Sequence, residues 1–143
     1  MDQLLVNLKL MGWIANDLSR LRDYCETAAS ACQWQIPPNY PVFGRDAFRT
    51  ATGVHAAAII KCYRKGDAGL ADLIYSGVPA ALFGISQTIE VGPMSGKSNV
   101  IFWLESRNLE ATEQRVKRIF DYAKRSTTVL KEDELMELVT SDK

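Results

Sequence analysis

Apolar residues recur at three- and four-residue steps along most of this chain, and prolines and glycines cut the recurrence into short segments. Leu4, Leu5, Leu8 and Met11 form a first helical stripe, closed by Gly12. A second runs through Leu18, Leu21, Cys25, Ala28 and Cys32, with Asp17 as its expected cap. Pro37, Pro38 and Pro41 exclude helix, so an extended connector follows. Gly44 and residues 45–49 predict a turn and a short helical segment. Leu70, Ala71, Leu73 and Ile74 predict a short helix, and Pro79 with Gly84 frames a helix of one turn. Thr88–Val91 is the best strand candidate. Ser95 is the expected cap of a helix through Asn99, Val100, Trp103 and Leu104, with Asn108 as its stop. Thr112 caps the clearest amphipathic helix, with Val116, Ile119, Phe120 and Ala123 inward. Glu132, Asp133 and Glu134 open the last helix, where acid favours the dipole, and Leu135, Leu138 and Val139 give its apolar face. The pattern predicts a mainly α protein of small helical subdomains, with at most one or two short strands.

The central stretch is Phe48–Tyr75, which holds the single histidine. Thr52 is an expected N-cap whose hydroxyl can accept from a first-turn amide, and the alanine-rich run 56–58 continues the helix. His55 then lies at the third helical position. The positive end of the dipole disfavours imidazolium there, and neutral imidazole is the form that can act as a base or hydrogen-bond a carbonyl. A first-turn histidine facing solvent or satisfied in packing is the plain alternative.

Composition narrows the classes. The 143 residues suffice for one ordinary domain or two very small ones. Hydrophobic residues at 47% and charged residues at 24% fit a soluble globular protein, and the formal net charge of zero draws neither nucleic acid nor an anionic membrane. No apolar run is long enough for a membrane span, and the first residues do not read as a signal peptide. Half of the charged residues lie in 105–143, the solvated side of two surface helices. Cys25, Cys32 and Cys62 are expected as buried thiols in a reducing cytoplasm. One histidine and no Cys-x-x-Cys pair argue against zinc.

Two motifs invite nucleotide readings and do not sustain them. Gly92-Pro93-Met94-Ser95-Gly96-Lys97-Ser98 resembles a phosphate loop, but three residues separate its glycines where that loop needs four. A tight turn is the simpler reading, although free amides beside Lys97 could hold a single anion. Trp13, Trp34 and Trp103 do not interleave with a basic stripe.

Gly44-Arg45-Asp46-Ala47-Phe48, Thr52-Gly53-Val54-His55, Tyr75 after a short helix, Pro79–Gly84 and Ser95-Gly96-Lys97 together resemble a known family. It is the family of 2-isopropylmalate, homocitrate and citramalate synthases, in the region after their catalytic barrel, and the likeness runs from about Leu4 to Val139. It is most like 2-isopropylmalate synthase. The resemblance implies that residues 1–41 are terminal barrel helices and a proline-rich connector, 42–84 a first helical subdomain and 85–143 a second. Two features depart from the family: Met94 stands where it often has histidine before the Ser-Gly turn, and the barrel with its metal-binding aspartate and paired histidines is not in this chain. The first helix lacks a cap before it, which predicts a piece of a longer protein.

By resemblance, the longer protein removes a proton from the methyl group of acetyl-CoA. The carbanion attacks the ketone of a 2-oxo acid held on a divalent metal (Mg, Mn or Zn), and the thioester is hydrolysed. His55 would assist proton transfer and Tyr75 would position the substrate. The chain alone would carry no cofactor and be inactive. It would act in leucine biosynthesis in the cytoplasm, as a homodimer or higher oligomer, with neither nucleic acid nor membrane as partner. Leu4, Leu8, Leu18 and Leu21 are expected as uncovered apolar faces available to a partner. A homocitrate or citramalate synthase piece, or a non-catalytic helical dimerisation or regulatory domain, is the rival reading.

Overall fold

The computed structural model describes residues 1–140, so the last three residues of the expected subdomain 85–143 lie outside it. Among the described residues the protein is mainly helical, with seven α-helices and two short parallel strands. No helix among them is long and apolar enough to cross a membrane. The chain forms two compact units. Residues 1–48 and 75–87 make the first, and 49–74 and 88–140 the second. Residues 42–48 and 75–84 thus pack with the first 41 residues, while 49–74 pack with the later part of the chain.

The first unit holds α1 (Asp2–Leu10), α2 (Leu21–Ala31) and a one-turn 3-10 helix (Ala80–Phe83). Its core joins Val6, Leu18, Leu21, Val42, Phe43, Phe48, Ala80 and Phe83, with the Phe43 and Phe83 rings edge-on at 6.3 Å. Burying a side chain of this kind is worth about 1.5–3 kcal/mol, so Phe83 alone anchors the short turn that carries it. Pro79 precedes that turn and Gly84 closes it at φ 67°, as the sequence predicts. A side chain at Gly84 would also strike the Ser19 carbonyl.

Several expectations for this unit need correction. Leu18 and Leu21 are not uncovered: both turn into the core, and Leu4 is the exposed one. Asp17 does not cap α2. Its Oδ1 accepts from the Ser19 amide at 2.9 Å, a local turn that delays the helix to Leu21. Residues 45–48 form turns, not a helical segment, and lead straight into a strand. Nor are the three thiols uniformly buried. Cys62 is, Cys25 is half-buried, and Cys32 is exposed because it sits past the end of α2 as its C-cap.

The second unit holds β1 (Arg49–Thr50), α3 (Gly53–Arg64), α4 (Ala68–Leu73), β2 (Thr88–Ile89), α5 (Lys97–Glu105), α6 (Glu113–Arg125) and α7 (Glu132–Thr140). β1 and β2 run parallel, with Arg49 opposite Thr88 and Thr50 opposite Ile89, and the Glu90 amide extends the ladder to the Thr50 carbonyl at 3.0 Å. One core cluster binds α3, α4 and β2 through Ala56, Ile59, Ile60, Cys62, Ala71 and Ile89. A larger one binds α5, α6 and α7 through Val100, Trp103, Leu104, Val116, Ile119, Ala123, Leu135 and Val139. The Thr112 hydroxyl accepts from the Arg115 amide, so α6 starts where its sequence says it should.

Candidate functional site

The site grows from the junction of α3 and α5 in the second unit. α3 begins at Gly53, with Thr52 as N-cap in extended conformation, and His55 is its third residue. Thr52 is at the expected position, but its side chain makes no capping hydrogen bond. The Thr52 carbonyl accepts the first bond of the helix from Ala56 at 2.9 Å, and one free first-turn donor, the Gly53 amide, is satisfied by the Met94 carbonyl at 2.9 Å. Ala56, Ile59, Ile60 and Cys62 are buried, which turns Val54 and His55 outward to the surface.

Gly53 meets the turn before α5 backbone to backbone. A Cβ on Gly53 would stand 2.6 Å from the Gly96 nitrogen and 3.1 Å from its Cα, closer than packed atoms allow. Only glycine fits there. The Gly-Val-His and Ser-Gly-Lys segments therefore touch, and the glycine of the first is required by the second.

Ser95 does not cap α5. Its side chain is buried and works as a tie between segments. The hydroxyl donates to the Ala51 carbonyl at 2.7 Å and accepts from the Gly92 amide at 2.9 Å. Gly96 is the N-cap of α5, and Asn99 Oδ1 accepts from its amide at 3.1 Å. Asn99 is fully buried, and its Nδ2 donates to the Glu90 carbonyl at 2.9 Å and to the Ala51 carbonyl at 3.3 Å. Sequence reasoning gave Asn99 no role. The available signal was a polar residue four positions before Trp103, on the face that α5 buries.

Lys97, beside this turn, is exposed. The turn is a tight one, as its glycine spacing predicts, with Ser95 N–H bonded to the Gly92 carbonyl at 3.0 Å.

Tyr75 directly follows Ile74, the C-cap of α4 in the second unit, and is exposed, but it belongs to the first unit. That unit also carries a cavity of about 350 Å³ lined by Asp2, Tyr24, Cys25, Cys32, Trp34 and Tyr40, and neither His55 nor Tyr75 lines it. Burial opposes ionisation of Asp2, but hydrogen bonds from Gln3 and from the Tyr40 hydroxyl (2.9 Å) outweigh it and hold the carboxyl below its ordinary value. Burial first, and then the Asp2 carboxylate, pushes the Cys25 thiol up to about 11.

Among the described residues, no group of three or more His, Cys, Asp or Glu side chains could hold a metal ion.

No family model matches the chain. It is similar to several curated condensing synthases. One is a homocitrate synthase of Pyrococcus horikoshii, 30% identical over 104 residues, which are 73% of this chain and 26% of that protein. Another is an (R)-citramalate synthase of Aquifex aeolicus, 26% identical over 110 residues, 76% of this chain and 19% of the relative. A third is a protein of Archaeoglobus fulgidus named as a probable 2-isopropylmalate synthase, 26% identical over 90 residues, 63% of this chain and 16% of the relative. These relatives support the synthase family as the one the chain resembles, without favouring its 2-isopropylmalate branch. The chain spans about a quarter or less of their length.

Proposed function

We propose that this chain is the post-barrel portion of a synthase that condenses acetyl-CoA with a 2-oxo acid. The observation that carries the reading is the similarity over 104 residues to a homocitrate synthase. In the reaction, the methyl group of acetyl-CoA loses a proton, and its carbanion forms a carbon–carbon bond to the ketone carbon. Water then cleaves the thioester and releases CoA. His55, exposed on the first turn of α3, would assist the proton transfer, and Tyr75 would hydrogen-bond and position the substrate. The divalent metal would be held by residues outside this chain, where it polarises the ketone. The chain alone is therefore expected to be inactive. The subdomains 42–84 and 85–143, cytoplasmic location and association into a dimer or higher oligomer belong to the same reading.

On the resemblance at residue level, the 2-oxo acid is 2-oxoisovalerate, the product 2-isopropylmalate and the pathway leucine biosynthesis. The homocitrate synthases among the relatives favour a second reading, in which a longer dicarboxylic 2-oxo acid takes its place. The test is CoA release by the protein encoded by the complete gene, offered acetyl-CoA with 2-oxoisovalerate, 2-oxoglutarate or pyruvate. Release with one of them supports the proposal and names the substrate. No release with any of them contradicts it and favours a non-catalytic helical domain.

A further inference from the structure

We propose that Ser95 and Asn99 are positioning residues for His55, a role that rests on the proton-transfer reading of that histidine. The chain leaves β1 at Thr50 and enters α3 at Gly53, so the residues between them set where the first turn, and His55 on it, must lie. Thr50 and Gly53 are each tied to a neighbouring segment. The Thr50 carbonyl accepts from the Glu90 amide at 3.0 Å, and the Gly53 amide donates to the Met94 carbonyl at 2.9 Å. Between these two backbone ties, the Ala51 carbonyl takes the Ser95 hydroxyl proton at 2.7 Å and an Asn99 Nδ2 proton at 3.3 Å.

The donor and acceptor account of the two side chains is full. The Ser95 oxygen has two carbonyls within reach of its single proton, Ala51 at 2.7 Å and Glu90 at 3.2 Å, of which Ala51 is the nearer, and it receives the Gly92 amide. Asn99 gives its protons to the Glu90 and Ala51 carbonyls and receives the Gly96 amide. Ser95 is 2% exposed and Asn99 0%, so no water competes for these bonds. Buried polar networks that are fully satisfied are rigid and fix one arrangement. This network joins the turn 92–96 to the residues that deliver α3. Gly53, which tolerates no Cβ against Gly96, lets the two segments close to the distance that the bonds require. The first turn of α3 thus gets its place from two side chains that do not reach the surface, while His55 does.

The test uses Ser95→Ala and Asn99→Asp in the protein encoded by the complete gene. Ser95→Ala deletes the hydroxyl, and Asn99→Asp keeps the side-chain size while removing both Nδ2 donors. Displacement of a catalytic group by about 1 Å costs on the order of 100-fold, so each variant should lower kcat by roughly 10- to 100-fold. KM for the 2-oxo acid should stay unchanged. Peptide-resolved amide exchange should accelerate at least tenfold over residues 53–57 and stay as it was over 116–123 in α6 (a control within the same unit). Equal acceleration in both segments, or unchanged exchange over 53–57, would overturn the proposal, as would a fall in activity that only follows the folded fraction. His55→Ala separates the two ideas. If it abolishes turnover while exchange over 53–57 resists both variants, the brace fails alone. If turnover survives His55→Ala, the proton-transfer reading fails and the positioning role with it.

Discussion

Gly53 and Gly96 meet with so little room between their backbones that a single methyl group on Gly53 would lie 2.6 Å from the Gly96 nitrogen. The reverse does not hold. A Cβ on Gly96 would find its nearest neighbours at 3.5–3.8 Å, ordinary contact distances. Gly53→Ala should therefore destabilise the protein by about 1–3 kcal/mol, the usual cost of overpacking. Gly96→Ala should cost clearly less. Denaturant midpoints of the two variants check this, and equal losses would contradict the close approach.

The three thiols should react in a fixed order. Cys32 is exposed, Cys25 half-buried and Cys62 buried. A thiol that titrates near 11 in place of 9 carries roughly a hundredfold less thiolate at pH 8, and the thiolate is the nucleophile. With an aromatic disulfide reagent at pH 8, Cys32 should react first, Cys25 much later, and Cys62 only when the second unit opens. Mass spectrometry of the labelled peptides reads the order. Early labelling of Cys62 would count against the packing of α3.

Arg107 grips Glu132 with two hydrogen bonds, 2.6 and 2.8 Å, and so ties the end of α5 to the start of α7. That grip, with burial opposing it, holds the Glu132 carboxyl below its ordinary value of 4.5. A carboxyl depressed in the folded state adds stability above its unfolded value, and the gain disappears as the pH falls through the folded one. Both side chains are partly exposed, so Glu132→Gln should cost less than about 1 kcal/mol at pH 7. The gap between parent and variant should narrow below pH 4.5. A gap independent of pH down to acid unfolding would contradict the charged pair.

Association should involve the first unit. Leu18 and Leu21 are spent in its core, but Leu4, Met11 and Trp13 are 55%, 64% and 72% exposed. Apolar surface of this kind commonly marks an interface. Light scattering of the 143-residue chain should give a dimer or larger species that weakens when Trp13 and Met11 are changed to Ser. A monomer at every concentration would contradict the expectation.

Much of the fold was legible because its signals are local. Val116, Ile119 and Ala123 repeat at helical spacing behind Thr112, and Pro79 and Gly84 bracket a turn by their own backbone preferences. The misread positions are those where a side chain or strand serves a distant segment. Ser95 looks like a cap because its neighbours begin a helix, yet its hydroxyl is taken by Ala51. Likewise, β1 exists only because Thr88 and Ile89 come to lie beside it. Asp17 is a different case, a local turn in which its carboxylate takes the amide two residues on. At the candidate site, the place of His55 on the first turn of α3 could be read from Thr52 onward. Its brace could not, because no periodicity announces that Gly53 and Gly96 touch or that Asn99 faces two carbonyls.

The most direct measurement is turnover and melting temperature on one sample of the His55→Ala variant of the protein encoded by the complete gene. The side chain lies exposed on a first turn and contributes nothing to the core cluster of α3. The expected result is a melting temperature close to the parent's and a kcat lower by roughly 10²–10⁴-fold, the range for losing a positioned acid or base. Tyr75→Phe, which removes only a hydroxyl, should reduce kcat less. A destabilised His55→Ala protein with near-normal turnover would contradict the account.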